Sequence, residues 1–347
     1  MNATALLYGG LDLHRDNTFC SILDAERRVV FEKKLANEIE TICQALEPFR
    51  ARIKKIAVES TYNGYWLVDR LKREKYDVRL ANPAQMKENT GLKHANDKTD
   101  ARFIARQLAN DCLPEGYIYP EETRGVRDLL RHRMRLVQDR ATVLQRLAGL
   151  CARQTGQELG SREILARDFN ELFRHHAPSV RMAETGRRQA EFLDNEIKAL
   201  EKDILKDLPD PAAYARLMTI PGVGETLARC ILLETGPISR FPSAGDYASY
   251  CRAVPSEHTS NGKKKGEGNR KCGNAYLAWA FVEAANFAIR FDPAIKAWFQ
   301  RKLARSKQPR VVALKALANK LAKACYFMLR DGAPFDAARL VGGGEKT

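Results

Sequence analysis

Residues 5–24, ALLYGGLDLHRDNTFCSILD, decide how the amino-terminal part of the chain is read. Ala5 to Leu13 and Phe19 to Asp24 are apolar, β-rich runs, and the first carries a single aspartate, Asp12, near its end. Working downstream, Arg28 to Leu35, Ile53 to Glu59 and Asp77 to Ala81 also read as strands. Ile39 to Leu46 and Tyr65 to Tyr76 have helical spacing instead, and after Pro83 the chain turns helical, notably from Lys98 to Asn110. Three strands followed by helix, strand, helix, strand predict an α/β unit, a mixed sheet with helices against it.

Four acids stand at informative places in that pattern. Asp12 lies in GGLDLHRD near the end of the first strand, and Glu59 ends the strand IKKIAVES. In adjacent strands these positions can face one another. Asp97 and Asp100 are three apart where HANDKTDARFIARQLA opens a helix, so both carboxylates can point to one side. A helix cap at Asp97 or Thr99 would account for one of these acids, hardly for all four. Carboxylates gathered on a sheet repel unless a cation compensates them, and hard divalent cations take oxygen ligands.

From about 122 to 208 the pattern changes to long helices, charged outside and apolar along a seam. Leu130, Met134, Val137, Ala141, Leu144, Ala148 and Cys151 follow a four-three alternation, and Leu193, Ile197, Leu200 and Ile204 repeat it. An antiparallel helical hairpin is expected, its seam available for packing within one chain or against a second.

From Pro211 a third, mostly helical segment begins. LMTIPGVGETLARCILLETG sets Pro221, Gly222, Val223 and Gly224 between two helical patterns, the composition of a helix-hairpin-helix. Its glycines permit a tight turn, and the amides opening the second helix can hold a phosphate, although a plain helical connection has the same composition. In PSEHTSNGKKKGEGNRKCGNAYL, the glycines and the cations Lys263, Lys264, Lys265, Arg270 and Lys271 describe a basic loop suited to a nucleic-acid backbone. Ser256 and Ser260 lie in it. A serine becomes a nucleophile only beside an activating base or metal and cations for the phosphoryl oxygens.

Whole-chain properties agree. The net charge is +15, and residues 251–325 hold 16 Lys and Arg against 4 Asp and Glu, a concentration that favours a polyanionic partner. The eight cysteines form no Cys-x-x-Cys pair and read as reduced, mostly core thiols. No apolar run reaches the roughly 20 residues that span a bilayer, so no membrane partner is expected and the cytoplasm is the expected address.

The ordered set GLDLHRD, AVES, NDKTDARFIA, IPGVGETLA, VPSEHTSNGKKKGEGN, KCGNAYL and GAPFDAARL resembles the DEDD transposases of the IS-110/IS-1111 insertion-sequence family, and TSNGKKKG is most similar to the IS-1111 branch. The resemblance extends over essentially the whole chain. It implies a RuvC-like, RNase H-type domain over 1–120, coiled-coil dimerisation helices over 121–209 and a carboxy-terminal transposase domain over 210–347. It also implies magnesium, or manganese, on Asp12, Glu59, Asp97 and Asp100. The family's catalytic serine stands in a Ser-Gly-type motif five residues after a proline; counted from Pro255 the match is Ser260, with Asn261 intervening before Gly262 and Ser256 as the fallback.

Further implications are a homotetramer built as a dimer of dimers, a structured bridge RNA from the element, and donor and target DNA as partners, with action at the bacterial nucleoid. Gly222, Gly224, Lys263 to Lys265, Arg270 and Lys271 are the expected nucleic-acid contacts. Two alternatives stay open: a junction-resolving nuclease in which the acids activate water, and a non-catalytic nucleic-acid-binding protein whose acids are structural.

Overall fold

The computed structural model describes residues 6–86, 96–255, 257–260, 263–267, 272–305 and 309–342. They form two compact units, one up to Glu121 and one from Glu122 onward.

The first unit is built on a mixed sheet. Strands β1 (Leu7–Leu13), β2 (Asn17–Asp24) and β3 (Val29–Ala36) form an antiparallel meander, and β4 (Ile53–Glu59) and β5 (Val78–Ala81) extend it parallel to β1. A two-residue strand, β6 (Glu115–Gly116), closes the edge, giving the order β3-β2-β1-β4-β5-β6. Crossovers through α1 (Ile39–Leu46) and α2 (Tyr65–Arg73) supply the parallel pairs, as a parallel connection requires.

Alternation along β1 sorts its side chains to two faces. Leu7, Leu11 and Leu13 are buried with Ile42 and Leu46 of α1 and Leu67, Val68 and Leu71 of α2, each leucine stabilising by roughly 1.5–3 kcal/mol. Tyr8, Gly10 and Asp12 take the other face, where Tyr8 packs with Ala57, Ala81, Ile104 and Leu108 beneath α3 (Asp97–Ala109). The acid-bearing face is thus the one that α3 covers.

The second unit is helical. Within it α4 (Glu121–Thr155) and α7 (Ala177–Lys206) run antiparallel, as the ion pairs Arg133–Glu201 and Arg140–Asp194 require. Their seam is not continuous. Leu130 and Ile204 belong to the core of the following helices, whereas Leu144, Leu147, Leu150 and Cys151 pack with Ala183, Ala190 and Leu193 and with Ile164 and Phe169 of the short helices α5 (Ser161–Ala166) and α6 (Phe169–Leu172). Between these clusters Val137 is 37% exposed and Ala141 is exposed. Salt bridges span that middle stretch, so the four-three pattern overstates the apolar contact made within one chain.

Helices α8 (Pro211–Leu217), α9 (Glu225–Thr235) and α10 (Ala244–Tyr250) lead to a two-stranded ribbon of β7 (Glu257–Ser260) and β8 (Lys263–Glu267). Helices α11 (Ala275–Phe291), α12 (Pro293–Arg305), α13 (Arg310–Asp331) and α14 (Ala337–Gly342) follow. The core of α9, α10, α11 and α13 closes around fully buried Tyr247 and Phe281. Five cysteines, at 20, 151, 230, 251 and 325, are buried, and burial pushes the Cys20 and Cys325 thiols up to about 12. They pack as apolar groups. Among the described residues no helix is long and apolar enough to cross a membrane.

Candidate metal centre and basic ribbon

Asp12 stands at the carboxy-terminal end of β1 and Glu59 at that of the parallel neighbour β4, whose register pairs Leu11 with Val58 one position earlier. The two carboxyl groups share a hydrogen bond. On the face above, α3 begins with a capping box: Asn96 Oδ1 accepts from the Thr99 amide at 3.0 Å, and Thr99 Oγ1 accepts from the Asn96 amide at 2.9 Å. Asn96 is therefore the cap, with Thr99 its partner. Asp97 Oδ1 reaches His14, and the charges of Asp97 and Asp100 both act on Asp12.

Gly10 explains how α3 comes so near. A Cβ there would lie 2.2 Å from the Ala101 carbonyl oxygen and 2.6 Å from the Ala105 nitrogen, so only glycine lets the helix backbone rest on the strand. Glu32 of β3 then fixes the helix from the side through Arg102 and Lys98, the Arg102 Nη2 bond being 2.7 Å. Burial opposes ionisation of Glu32, but those two cations outweigh it and hold its carboxyl below the usual range.

His14 completes the cluster. Its Nε2 is 3.0 Å from Asp12 Oδ2 and 3.2 Å from Asp97 Oδ1, and ligand atoms of all three residues lie within 4.8 Å of one another. Asp12 is only 1% exposed, while Asp97 is partly exposed and Asp100 exposed, so the cluster has a dry floor and an open rim. Burial pushes the Asp12 carboxyl up; the hydrogen bond with Glu59 opposes that shift, and the charges of Asp100 and Asp97 add to it. Asp12 Oδ2 is buried and makes no hydrogen bond. An orphaned, buried carboxylate oxygen among further acids is the donor set a divalent cation fits, since such a cation removes both the repulsion and the unmet bond.

In the second unit, Gly222 and Gly224 differ in what they do. Gly222 has φ +85°, and a Cβ on it would lie 2.5 Å from the Ala288 nitrogen, so it lets the turn between α8 and α9 abut α11. Gly224, the N-cap of α9, is exposed and has open space around it. Ser260 ends β7 and pairs with Lys263, which opens β8 and is exposed; Lys264 and Lys265 lie on β8. Ser256, Asn261, Gly262, Arg270 and Lys271 lie outside the described residues.

The ribbon's stem is clamped. Arg252, at φ +53°, donates from Nε to the Cys272 carbonyl at 2.9 Å and from Nη2 to the Gly273 carbonyl at 3.1 Å. The Asn274 amide donates to the Tyr250 carbonyl at 2.6 Å, and Asn274 Oδ1 caps α11 by accepting from the amides of Tyr276 and Leu277. Asn274 Nδ2 in turn donates to Glu234 Oε2 at 2.7 Å. That fully buried carboxylate also receives both arms of Arg131, at 2.6 and 2.8 Å. The motifs read from the sequence contain Gly10, His14, Glu234 and Asn274 without assigning them a task, and Arg252 is assigned none either. An asparagine just before a helical run is a cap signature; the other residues act through tertiary neighbours.

Fold and site define a protein with an acidic, cation-suited centre on a mixed sheet and a basic ribbon on a helical unit. A family model described as Transposase, of the IS110 DEDD type, matches residues 9–185, and one described as the transposase IS116/IS110/IS902 family matches residues 214–300. The chain belongs to the IS110/IS1111 family of insertion-sequence transposases, enzymes of DNA strand transfer. It is 24% identical over 92% of its length to a probable family 20 transposase of Pseudomonas aeruginosa, covering 96% of that protein. Similarity also extends to the transposase of IS1328 from Yersinia enterocolitica, 23% identical over 81% of this chain and 85% of the relative. For the transposase of IS1111A from Coxiella burnetii the values are 25%, 67% and 66%.

Proposed function

We propose that the chain is an RNA-guided recombinase that exchanges DNA strands through Ser260, assisted by Mg2+ at Asp12, Glu59, Asp97 and Asp100. The observation that carries this reading is the convergence of these acids around the buried, unbonded Asp12 Oδ2. The sheet order, with an antiparallel meander leading into parallel strands, supports a RuvC-like, RNase H-type domain over 1–120. The antiparallel pair of α4 and α7 supports dimerisation helices over 121–209, ahead of a transposase domain over 210–347.

When bound, a divalent ion supplies Lewis-acid stabilisation of charge on the phosphoryl oxygens. The chain's own residues do the rest. Ser260 Oγ attacks the phosphorus and gives up its proton; the P–O3′ bond breaks, the 3′ oxygen takes up a proton, and a phosphoserine link remains. A 3′ hydroxyl of the second duplex then attacks that link and releases the serine, so no phosphodiester is lost. Lys263, Lys264, Lys265, Arg270 and Lys271 hold the backbone, and the amides after Gly222 and Gly224 hold a phosphate at the start of α9. A dimer of dimers brings the acids of one subunit to the serine of another, and a bridge RNA supplies sequence choice by base pairing with donor and target DNA.

Strand exchange with Mg2+, the element's RNA and both DNAs tests this. Ser260→Ala and Asp12→Asn should each abolish exchange. Continued cutting by Ser260→Ala, with hydrolysed ends, would select the junction-nuclease reading instead.

A further inference from the structure

His14 is pinned independently of its ring. Its amide donates to the Asn17 carbonyl at 2.9 Å, and its carbonyl accepts from Asn37 Nδ2 at 2.9 Å and from Asn63 Nδ2 at 3.4 Å. Three segments of chain thus fix the turn after β1 and present the imidazole to the acids. The separations are those of a coordination shell: ligands about 2.1 Å from one octahedral ion stand about 3.0 Å apart when adjacent. His14 Nε2 lies 3.0 Å from Asp12 Oδ2 and 3.2 Å from Asp97 Oδ1. An ordinary ion pair would show the same distances, but with the nitrogen aligned on the oxygen. Asp12 Oδ2 instead has no hydrogen bond although the ring nitrogen is 3.0 Å away.

We infer that His14 is a nitrogen ligand of the cation shared by Asp12 and Asp97, and that it shifts the centre's preference from Mg2+ toward first-row transition ions. Four carboxylates alone make a hard oxygen site suited to Mg2+. An imidazole adds a softer donor that Mg2+ takes poorly and transition ions take well. His14 therefore sets which ion the acids hold. The inference rests on the metal-centre reading proposed above.

Mn2+ is the probe, because it is paramagnetic and its nitrogen ligands are visible in electron spin-echo modulation. In the full-length protein, bound Mn2+ should show coupling to a directly coordinated imidazole nitrogen, and His14→Gln should remove it. Zn2+ affinity should fall about tenfold in that variant while Mg2+ affinity, measured by competition, changes less than threefold. Absence of nitrogen coupling in the wild type, coupling retained in His14→Gln, or equal losses for both ions would overturn the inference. Asp12→Asn separates the two levels. If it abolishes Mn2+ binding while His14→Gln leaves binding and spectrum unchanged, the acidic centre stands and His14 is no ligand. Mn2+ binding untouched by Asp12→Asn would overturn the metal-centre reading and this inference together.

Discussion

Gly10→Ala is the perturbation that connects backbone packing to chemistry most sharply. The added methyl would sit 2.2 Å from the Ala101 carbonyl oxygen and 2.6 Å from the Ala105 nitrogen, whereas relaxed contacts lie at about 3.5 Å. Helix α3 must therefore retreat by about 1 Å, and both obstacles are backbone, so no rotamer change relieves them. Overpacking of this kind costs about 1–3 kcal/mol, read as a lower urea midpoint. The larger consequence falls on the site, because Asp97 and Asp100 ride on α3 while Asp12 stays on β1. A displacement of about 1 Å can cost on the order of 10²-fold in strand-exchange rate. Gly9→Ala is the control: its methyl faces Ile56 Cγ1 at 3.3 Å, a side-chain contact that a small adjustment relieves. Gly10→Ala with wild-type stability, Mn2+ affinity and exchange rate would refute the claim that this glycine sets the distance between helix and strand.

Three further outcomes follow from the same geometry. The Asp12 carboxyl is raised by burial, against the hydrogen bond with Glu59 and with help from Asp100 and Asp97. The metal-free fold thus holds a proton that the unfolded chain releases at lower pH, so this stabilisation is complete below the ordinary aspartate value and is lost as pH rises through the raised one. In chelator, Asp12→Asn should melt above the wild type at neutral pH, with the two curves meeting in acid; a constant difference across pH would contradict this. Arg252→Ala removes two charged bonds to the ribbon stem, each worth about 1.5–3 kcal/mol, and should slow strand exchange at least about tenfold while leaving Mn2+ binding intact. Glu234→Ala strands the Arg131 guanidinium and the Asn274 amide and should cost about 3 kcal/mol in chemical denaturation, with Arg131→Met, Glu234→Met recovering part of the loss.

Much of the first unit was legible because its signals are local. Short β-rich runs mark β1 through β5, and Ile39 begins and Leu46 ends a helix that the structure bounds identically. Where expectation and structure part, tertiary contacts decide. The helix expected from Tyr65 to Tyr76 stops at Arg73, since Lys75 turns at φ +63° without a glycine to announce it. Val137 and Ala141 fit the seam by spacing yet are exposed, because Arg133 and Arg140 reach across to Glu201 and Asp194. At the site, the acids were readable from strand ends and a helix start, but the roles of Gly10 and His14 emerge only once α3 lies on β1.

The most direct measurement is peptide mapping of the covalent species formed when the protein, Mg2+, the element's RNA and donor DNA are quenched in mid-reaction. The expected result is DNA linked to the peptide carrying Ser260, absent from Ser260→Ala and reduced to background in Asp12→Asn. Full strand exchange with no linked peptide, or a link at any residue other than Ser260, would contradict the serine mechanism.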